Sequence, residues 1–249
     1  MRSNMSQRST NLTIKGIVFD VGDTLLETGP LKRAGVDYAT SELYNKGMIS
    51  NTQKLAKAFF EVDERTVFPH VSHFYSHTEI VVEALGISAV MQPTKFSLHT
   101  VACIFLSHYR EKVKSQVYQS EDLSNLLNTL KQRKIKLGII SNGILQDQID
   151  VLERLNVTTY FDSILVSEEL DIEKPEPEIF MISVQQLGLS ENNVLYVGDK
   201  WESDIYGALN AGLQAALSVQ FRNTDLEKAQ KEPKCSIIYR LEDILKLLD

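Results

Sequence analysis

Acidic residues close two short apolar runs of this 249-residue chain. Asp20 follows the apolar residues 17–19, and Asp199 ends the run that starts at Val194, with Asp204 further along. An apolar run that ends in a polar residue is typical of a buried parallel strand that brings a functional group to the edge of a sheet. A carboxylate there can attack a phosphate, and further hard oxygen ligands suit Mg²⁺. We therefore predict that Asp20 becomes phosphorylated and that Asp20, Asp199 and Asp204 bind Mg²⁺.

Two more segments carry polar groups that suit a phosphoryl group. Ser141 and Asn142 follow the apolar run 137–140, and Lys174 stands in a Lys-Pro-Glu-Pro sequence. A hydroxyl and exposed backbone N–H groups can hold phosphoryl oxygens, and an ammonium can neutralise the carboxylates and contact the transferring group. We predict that Ser141, Asn142 and Lys174 bind phosphate and that Lys174 is also catalytic.

Each of these residues also has a simpler interpretation. Asp20 can begin a turn, Ser141 and Asp204 can cap helices, and a lysine such as Lys174 is most often solvated. The occurrence of all four segments in one chain favours a shared site. Glu202 and Ser203, which stand before Asp204, are further candidate ligands, directly or through water.

The surrounding pattern predicts an α/β fold with a Rossmann-like parallel sheet. Short runs rich in Ile, Val and Leu alternate with amphipathic helical segments from about residue 121 to the end, which is the rhythm of a parallel sheet with helices on both faces. The predicted strands are 14–19, 135–140, 163–166, 194–197, 215–219 and 236–239.

The stretch from about residue 27 to residue 120 breaks this rhythm. It contains no convincing strand, and its apolar residues recur at helical intervals, so we predict an all-helical domain inserted after the first strand. The predicted organisation is a flexible extension at 1–11, a core formed by 12–28 and 118–249, and a helical cap domain at 29–117.

Composition excludes several functional classes. The chain is 43% hydrophobic and 24% charged, which is typical of a globular protein, and its net charge of −7 without a dense Lys/Arg block argues against nucleic-acid and anionic-membrane partners. Residues 1–11 lack the apolar segment of a secretory signal, and no apolar run is long enough to span a membrane. Cys103 and Cys235 lack metal-binding spacing, so we expect two thiols in a reducing cytoplasm. We expect a monomer or homodimer.

The four segments together resemble the motifs of the haloacid dehalogenase (HAD) superfamily. Those motifs are a D-x-D-x-T loop, a strand-end Ser or Thr, a Lys, and a G-D-x-x-x-x-D loop, and they occur here in that order over the whole chain except the extension. The resemblance implies that Asp20 is the nucleophile, that Ser141 and Lys174 hold the phosphoryl group, and that Asp199 is a metal ligand supported by Asp204. Thr24 ends the first motif and joins the phosphate-binding set. The helical insert resembles the C1-type cap of subfamily I, which closes over the site and recognises the substrate.

One position departs from the family pattern. The phosphatases of the family usually have a second aspartate two residues after the nucleophile, where it acts as general acid and base, but this chain has Gly22 there and Asp23 next to it. The family binds Mg²⁺ through the backbone carbonyl at this position, which Gly22 retains. The missing proton donor is typically worth about 10²–10⁴-fold in rate. Asp23 can take over the role, a water or cap residue can replace it, or the leaving group can need little help.

The departure keeps other functions open. Haloacid dehalogenases and phosphonoacetaldehyde hydrolases also lack this aspartate. The dehalogenases work without a metal and do not need Asp199 and Asp204. A phosphonatase needs a Schiff-base lysine from the cap, for which Lys32 is the nearest candidate. A catalytically weak binding or regulatory protein is a third alternative. We expect an Mg²⁺-dependent phosphatase of a small phosphorylated metabolite.

All five histidines lie in the helical insert. His70, His73 and His77 stand at spacings that place them on one helix face. A zinc site, a pH-sensitive substrate-facing surface and ordinary, partly exposed helix residues are the interpretations that the spacing allows.

Overall fold

The computed structural model describes residues 13–67, 77–93, 95–222 and 225–248. Contacts divide the chain into two compact units. The first, here called the sheet unit, contains the chain up to Leu26, Ser120–Asn142 and everything from Thr158 onward. The second, here called the helical unit, contains Glu27–Gln119 and Gly143–Val157.

A six-stranded parallel sheet organises the sheet unit. The strands stand in the order β3-β2-β1-β4-β5-β6, and every neighbouring pair is parallel. Each of the six predicted strands is present, so the predicted α/β, Rossmann-like class is confirmed. The strands are β1 (Gly16–Phe19), β2 (Lys136–Ser141), β3 (Ser163–Val166), β4 (Val194–Gly198), β5 (Gln214–Ser218) and β6 (Cys235–Ile238).

The register of the central strands determines which residues meet at the sheet edge. Phe19 of β1 pairs with Ile139 of β2 on one side and with Val197 of β4 on the other. The three strands therefore end at nearly the same level, and their following residues are brought to one edge. The strand order reverses at β1 and β4, and ligands of open α/β sheets bind in the crevice at such a switch point.

Burial on both faces explains why these strands read as continuous apolar runs. Every residue of β1 and of β4 is buried, as expected for central strands of a parallel sheet covered by helices on both sides. A polar residue at the end of such a strand leaves the core only at the sheet edge.

Ten α-helices lie among the described residues. None of the helices in these parts of the chain combines the length and the apolar character that crossing a membrane requires. The helices are α1 (Gly29–Asn45), α2 (Thr52–Val67), α3 (His77–Ser88), α4 (Leu98–Gln116), α5 (Glu121–Gln132), α6 (Leu145–Arg154), α7 (Ser167–Leu170), α8 (Pro177–Leu187), α9 (Gly207–Asn210) and α10 (Leu226–Lys231).

Helix α5 shows how the sequence pattern forms a covering helix. The hydroxyl of Ser120 accepts a hydrogen bond from the backbone N–H of Leu123 and caps the first turn. Leu123, Leu126, Leu127 and Leu130 share one face and are all buried. The helix packs through this apolar face, while its opposite face remains polar.

The helical unit has its own apolar core and includes α6. Phe59 of α2 stacks on Phe105 of α4 with ring centroids 5.6 Å apart, inside a cluster contributed by α1–α4. Asp147 of α6 pairs with Arg110 of α4 at 2.8 Å. The predicted cap, 29–117, leaves α6 in the core domain, whereas the contacts group it with α1–α4. The functional boundary of the cap stays a prediction.

Candidate active site

Three carboxylates meet at the carboxyl edge of the sheet. Asp20 follows β1, Asp199 follows β4, and Asp204 lies in the π-helical turn Trp201–Tyr206. One oxygen of each lies within 4.8 Å of the others, and all three residues are buried. Such a concentration of buried acid is costly unless cations balance it.

Gly198 allows the third carboxylate to reach this cluster. A Cβ atom at this position would lie 2.5 Å from Cβ and from Cγ of Asp204, a distance that real contacts do not show. The backbone N–H of Lys200 donates to Oδ2 of Asp204 at 2.9 Å. The glycine before Asp199 and the turn after it therefore place two acidic residues of one segment side by side.

Lys174 is the buried cation of the cluster. Its Nζ donates to Oδ1 of Asp20 and to Oδ1 of Asp204, both at 2.6 Å, and to the hydroxyl of Tyr196 at 2.9 Å. Only 3% of its side chain is exposed, so it is not the solvated surface lysine that the sequence alone allowed. Burial alone would lower its pKa, but attraction to Asp20 and Asp204 outweighs burial and raises the pKa of Lys174 well above its usual value.

Asn142 holds the backbone at Lys174. Its side-chain Nδ2 donates to the carbonyl of Lys174, and its Oδ1 accepts from the N–H of the same residue, both at 2.9 Å. The following bond, Lys174–Pro175, is a cis peptide. In this structure the side-chain amide of Asn142 therefore holds the backbone of Lys174, and its predicted role in phosphate binding stays a prediction.

Asp20 is oriented by two side chains. Lys174 bonds one of its carboxylate oxygens, and the Thr24 hydroxyl donates to the other, Oδ2, at 3.2 Å. Burial and the nearby charge of Asp204 raise the pKa of Asp20, while Lys174 acts in the opposite direction. Ser141, the last residue of β2, is also buried at this edge of the sheet.

Asp199 has one carboxylate oxygen without a hydrogen-bond partner among the described residues. Its Oδ2 is buried and accepts no hydrogen bond from the described residues, and the nearest cationic group is Nη1 of Arg222 at 3.7 Å. Burial, together with Asp20 and Asp204, raises the pKa of Asp199 to about 8. Three carboxylates around one buried ammonium leave an excess of negative charge, and a divalent cation would balance it. The residues present therefore fit Mg²⁺.

Asp23 lies beside the predicted metal ligand. It has a left-handed backbone, with φ of 54°, and its N–H donates to the carbonyl of Leu26 at 2.8 Å, which closes a tight turn through Gly22. Its Oδ2 lies 3.7 Å from the same Arg222 nitrogen that faces Asp199. This turn keeps the acidic side chain near the cluster although the position of the usual acid is a glycine.

The family follows from comparison with known proteins. The family model described as "Haloacid dehalogenase-like hydrolase" matches residues 17–218, more than half of the chain. The protein belongs to this family. A glyceraldehyde 3-phosphate phosphatase of Methanothermobacter thermautotrophicus is 27% identical over 237 residues, 94% of this chain and 98% of that protein. An N-acylneuraminate-9-phosphatase of Rattus norvegicus is 27% identical over 82% of each chain.

Solved structures of HAD-like hydrolases share the fold. The crystal structure of YfnB, a HAD-hydrolase of Bacillus subtilis solved with bound magnesium, is 20% identical, covers 95% of this chain and 99% of its own, and superimposes with a TM-score of 0.72. At this identity the likeness concerns the fold alone.

The structure adds two residues that the sequence did not single out. Tyr196 lies within β4, and its hydroxyl contacts Lys174 and Asp204. Arg222 lies beyond the end of β5 and faces Asp199 and Asp23. A phenol inside a buried strand needs a hydrogen-bond partner, which is a signal that could have identified Tyr196. Nothing in the local sequence marks Arg222.

Two side chains of the helical unit that the sequence left open, Lys32 and His77, lie close to aspartates. Nζ of Lys32 pairs with Asp63 at 2.7 Å, and Nδ1 of His77 lies 3.3 Å from Asp147. His70 and His73 lie outside the described residues. Within the described ranges the only cluster of acidic, histidine or cysteine side chains suited to a metal is the one formed by Asp20, Asp199 and Asp204.

Proposed function

We propose that this HAD-like hydrolase is an Mg²⁺-dependent phosphatase of a small phosphorylated metabolite, with Asp20 as its nucleophile. The observation that carries the proposal is the buried cluster of Asp20, Asp199 and Asp204 around Lys174. The phosphatase names of two relatives support the same reaction class. Which metabolite is cleaved depends on side chains of the predicted cap.

The reaction follows from the chemistry of the aspartate. A carboxylate oxygen of Asp20 attacks phosphorus in line, and the bond from phosphorus to the ester oxygen breaks as the new bond forms. The leaving oxygen takes up a proton. Water then attacks the phosphorus of the aspartyl-phosphate, which releases inorganic phosphate and restores the carboxylate.

Each supporting group has a place in this scheme. Thr24 and Lys174 orient Asp20 through its two oxygens, and Lys174 keeps a positive charge beside it. Asp20, Asp199 and the Gly22 carbonyl would hold Mg²⁺ with support from Asp204. The bound ion would supply Lewis-acid stabilisation of the phosphoryl oxygens. Ser141 would bind a phosphoryl oxygen at the end of β2.

We assign the missing acid role to Asp23. Gly22 has no acidic side chain, and the carboxylate of Asp23 lies 3.7 Å from the Arg222 nitrogen that also faces Asp199. Asp23→Asn should then slow hydrolysis of sugar phosphates by about 10²-fold, because poor leaving groups depend on a proton donor. Hydrolysis of p-nitrophenyl phosphate, whose leaving group needs little help, should change much less. Equal effects on both substrates would contradict the assignment.

A dehalogenase or phosphonatase reaction on the same core is the competing proposal, favoured by Gly22. The three buried carboxylates argue against it, since they would repel the carboxylate of a haloacid. The pairing of Lys32 with Asp63 argues against a Schiff base at that lysine, because its amine is held as an ion pair.

The decisive test is release of p-nitrophenol from p-nitrophenyl phosphate with and without Mg²⁺. We expect activity that requires the metal, is lost with EDTA and is lost in Asp20→Asn. Asp171→Asn is the matched control, because Asp171 is an exposed aspartate at the end of α7 with a left-handed backbone that asparagine also adopts. Metal-independent chloride release from 2-chloropropionate would instead establish a dehalogenase. Inactivity on a broad panel of phosphorylated metabolites would favour a binding or regulatory protein.

A further inference from the structure

All three N–H donors of the Lys174 ammonium make hydrogen bonds in this structure. A lysine ammonium carries three donors, and the acceptors around this one are Asp20, Asp204 and Tyr196, at 2.6, 2.6 and 2.9 Å. Two of them are carboxylates, so these contacts are short, charge-assisted hydrogen bonds. The protein alone satisfies the ammonium completely.

The third acceptor, the Tyr196 hydroxyl, is built into the centre of the sheet. Tyr196 belongs to β4, between β1 and β5, and is fully buried. Its ring meets Phe180 edge to face, with centroids 5.0 Å apart. The two neighbouring strands and the Phe180 ring therefore hold the phenol in place, and its oxygen has little freedom to follow a moving lysine.

The same hydroxyl also contacts the second carboxylate. It lies 3.1 Å from Oδ1 of Asp204, compared with 3.5 Å from the carbonyl of Ile140, so its own proton is best donated to Asp204. Lys174, Tyr196 and Asp204 thus form a closed triangle of hydrogen bonds. Such a network is stiffer than a single ion pair because each of the three side chains is hydrogen-bonded to both of the others.

We propose that Tyr196 is a positioning residue that holds Lys174 against the nucleophile. This inference rests on the proposed phosphatase function and deepens it. Lys174 then controls the charge and orientation of Asp20, in addition to the phosphate-binding role predicted for it from the sequence.

The test is Tyr196→Phe, which removes one oxygen and keeps the ring that packs on Phe180. We expect kcat for p-nitrophenyl phosphate at saturating Mg²⁺ to fall about tenfold, because the ammonium loses an acceptor and Asp20 is held less well. KM should stay within about twofold, because the variant keeps Lys174 and every other group that would bind the phosphoryl group. A rise in KM with unchanged kcat would contradict the proposal, because it would mean that Tyr196 acts on substrate binding instead of on the nucleophile.

Tyr160→Phe is the matched control. Tyr160 also belongs to the sheet unit, and its hydroxyl donates to Asn128 at 3.0 Å, outside the carboxylate cluster. It loses the same atom and one hydrogen bond, so kcat should remain within about twofold of the wild type. If both variants lose the same activity, or if Tyr196→Phe retains full kcat, the positioning role is wrong.

A second measurement does not depend on activity. In protein labelled with ¹⁵N-lysine, the Lys174 ammonium should give an NMR signal, because a buried, fully hydrogen-bonded ammonium exchanges its protons slowly; Lys174→Arg identifies the signal. The signal should show contacts to the Tyr196 ring, and it should shift or vanish in Tyr196→Phe but not in Tyr160→Phe.

The NMR result separates the two proposals. If the wild type shows no Mg²⁺-dependent phosphatase activity while the Lys174 signal behaves as expected, the proposed function fails and the contact stands. If Tyr196→Phe does not fold, the wild-type spectrum alone decides: a rapidly exchanging Lys174 ammonium without contact to Tyr196 overturns the inference.

Discussion

The sheet unit and the helical unit both pair lysine or arginine with aspartate, but in different surroundings. At the sheet edge, Lys174 and Asp204 expose 3% and 1% of their side chains. In the helical unit, Lys114 and Asp150 expose 40% and 26%. Water can therefore replace the partner in the second pair but not in the first.

The two regions also shift carboxylate pKa values in opposite directions. Burial and neighbouring carboxylates raise the pKa of Asp20 and of Asp199. In the helical unit burial also opposes ionisation of Asp147, but hydrogen bonds and charge from His77 and Arg110 outweigh it and lower the pKa. The first region carries excess negative charge that a cation would neutralise, whereas the charges of the second region already neutralise one another. A binding site and a structural ion pair can thus be told apart by what remains unsatisfied.

The largest contrast should come from removing the lysine of each region. Lys174→Met leaves two buried aspartates without their cation, so we expect loss of activity and a decrease of about 3–5 kcal/mol in the free energy of unfolding. Lys114→Met removes a partly exposed pair and should cost about 0–1 kcal/mol. Urea unfolding followed by circular dichroism measures both, and equal losses would remove the distinction between the regions.

The pH dependence should reveal the unbalanced charge. Because the pKa of Asp199 is about 8 in the folded protein and 3.8 in its ordinary state, the folded protein retains a proton that the unfolded chain loses. The metal-free protein should therefore lose stability as the pH rises from about 4 to about 8. Saturating Mg²⁺ should raise Tm more at pH 8 than at pH 6, where it must displace the proton. Asp199→Asn should reduce this difference; an equal Mg²⁺ effect at both pH values in the wild type would contradict the assignment.

A smaller effect should follow from changing Arg222. Its guanidinium is a positive charge 3.7 Å from the open oxygen of Asp199, so it opposes a divalent cation there. We expect Arg222→Gln to tighten Mg²⁺ binding by roughly threefold to tenfold. Calorimetry measures the affinity, and the single tryptophan, Trp201, lies two residues after Asp199 and offers a fluorescence signal.

Arg240→Gln is the control for this change. It removes the same charge from an arginine that pairs with Asp122 and Glu242 rather than with a candidate metal ligand. The Mg²⁺ affinity of this variant should remain within about twofold of the wild type. Weaker binding in Arg222→Gln would show that the arginine orients Asp199 instead of opposing the ion.

The smallest effect concerns Asp147. Its lowered pKa means that its contribution to stability is present above its ordinary pKa of 3.8 and is lost as the pH falls through the lowered value. Asp147→Asn should therefore cost about 1 kcal/mol at pH 7 and much less in acid. Thermal unfolding of the wild type and the variant at pH 7 and in acid measures this cost. A cost that does not depend on pH would mean that packing, not charge, dominates at this residue.

Much of the sheet edge was predictable because each strand has its own local sequence pattern and the same pattern recurs from strand to strand. Each strand appears as an apolar run, and parallel strands deliver their last residues to one edge, so the meeting of Asp20 and Asp199 follows from two separate stretches of sequence. The six strands were found for the same reason, with β3 at its predicted bounds and the others within two residues of theirs.

The details of each contact were not predictable in this way. The sequence did not reveal that Asn142 holds the backbone of Lys174. Helix α6 follows the second motif directly, but its aspartates pair with Arg110 and Lys114, and its contacts group it with the helical unit. Both outcomes depend on partners about thirty or more positions away along the chain.

The amino-acid sequence by itself determined the class of fold and the set of carboxylates that meet at the sheet edge, because apolar periodicity and residue type carry that information along the chain. Only the tertiary structure decided that Lys174 is saturated by Asp20, Asp204 and Tyr196 and that Arg222 faces Asp199. The physical reason is that hydrogen bonds need atoms to meet within about 3 Å. That proximity is set by the packing of whole strands and helices, which no single segment encodes.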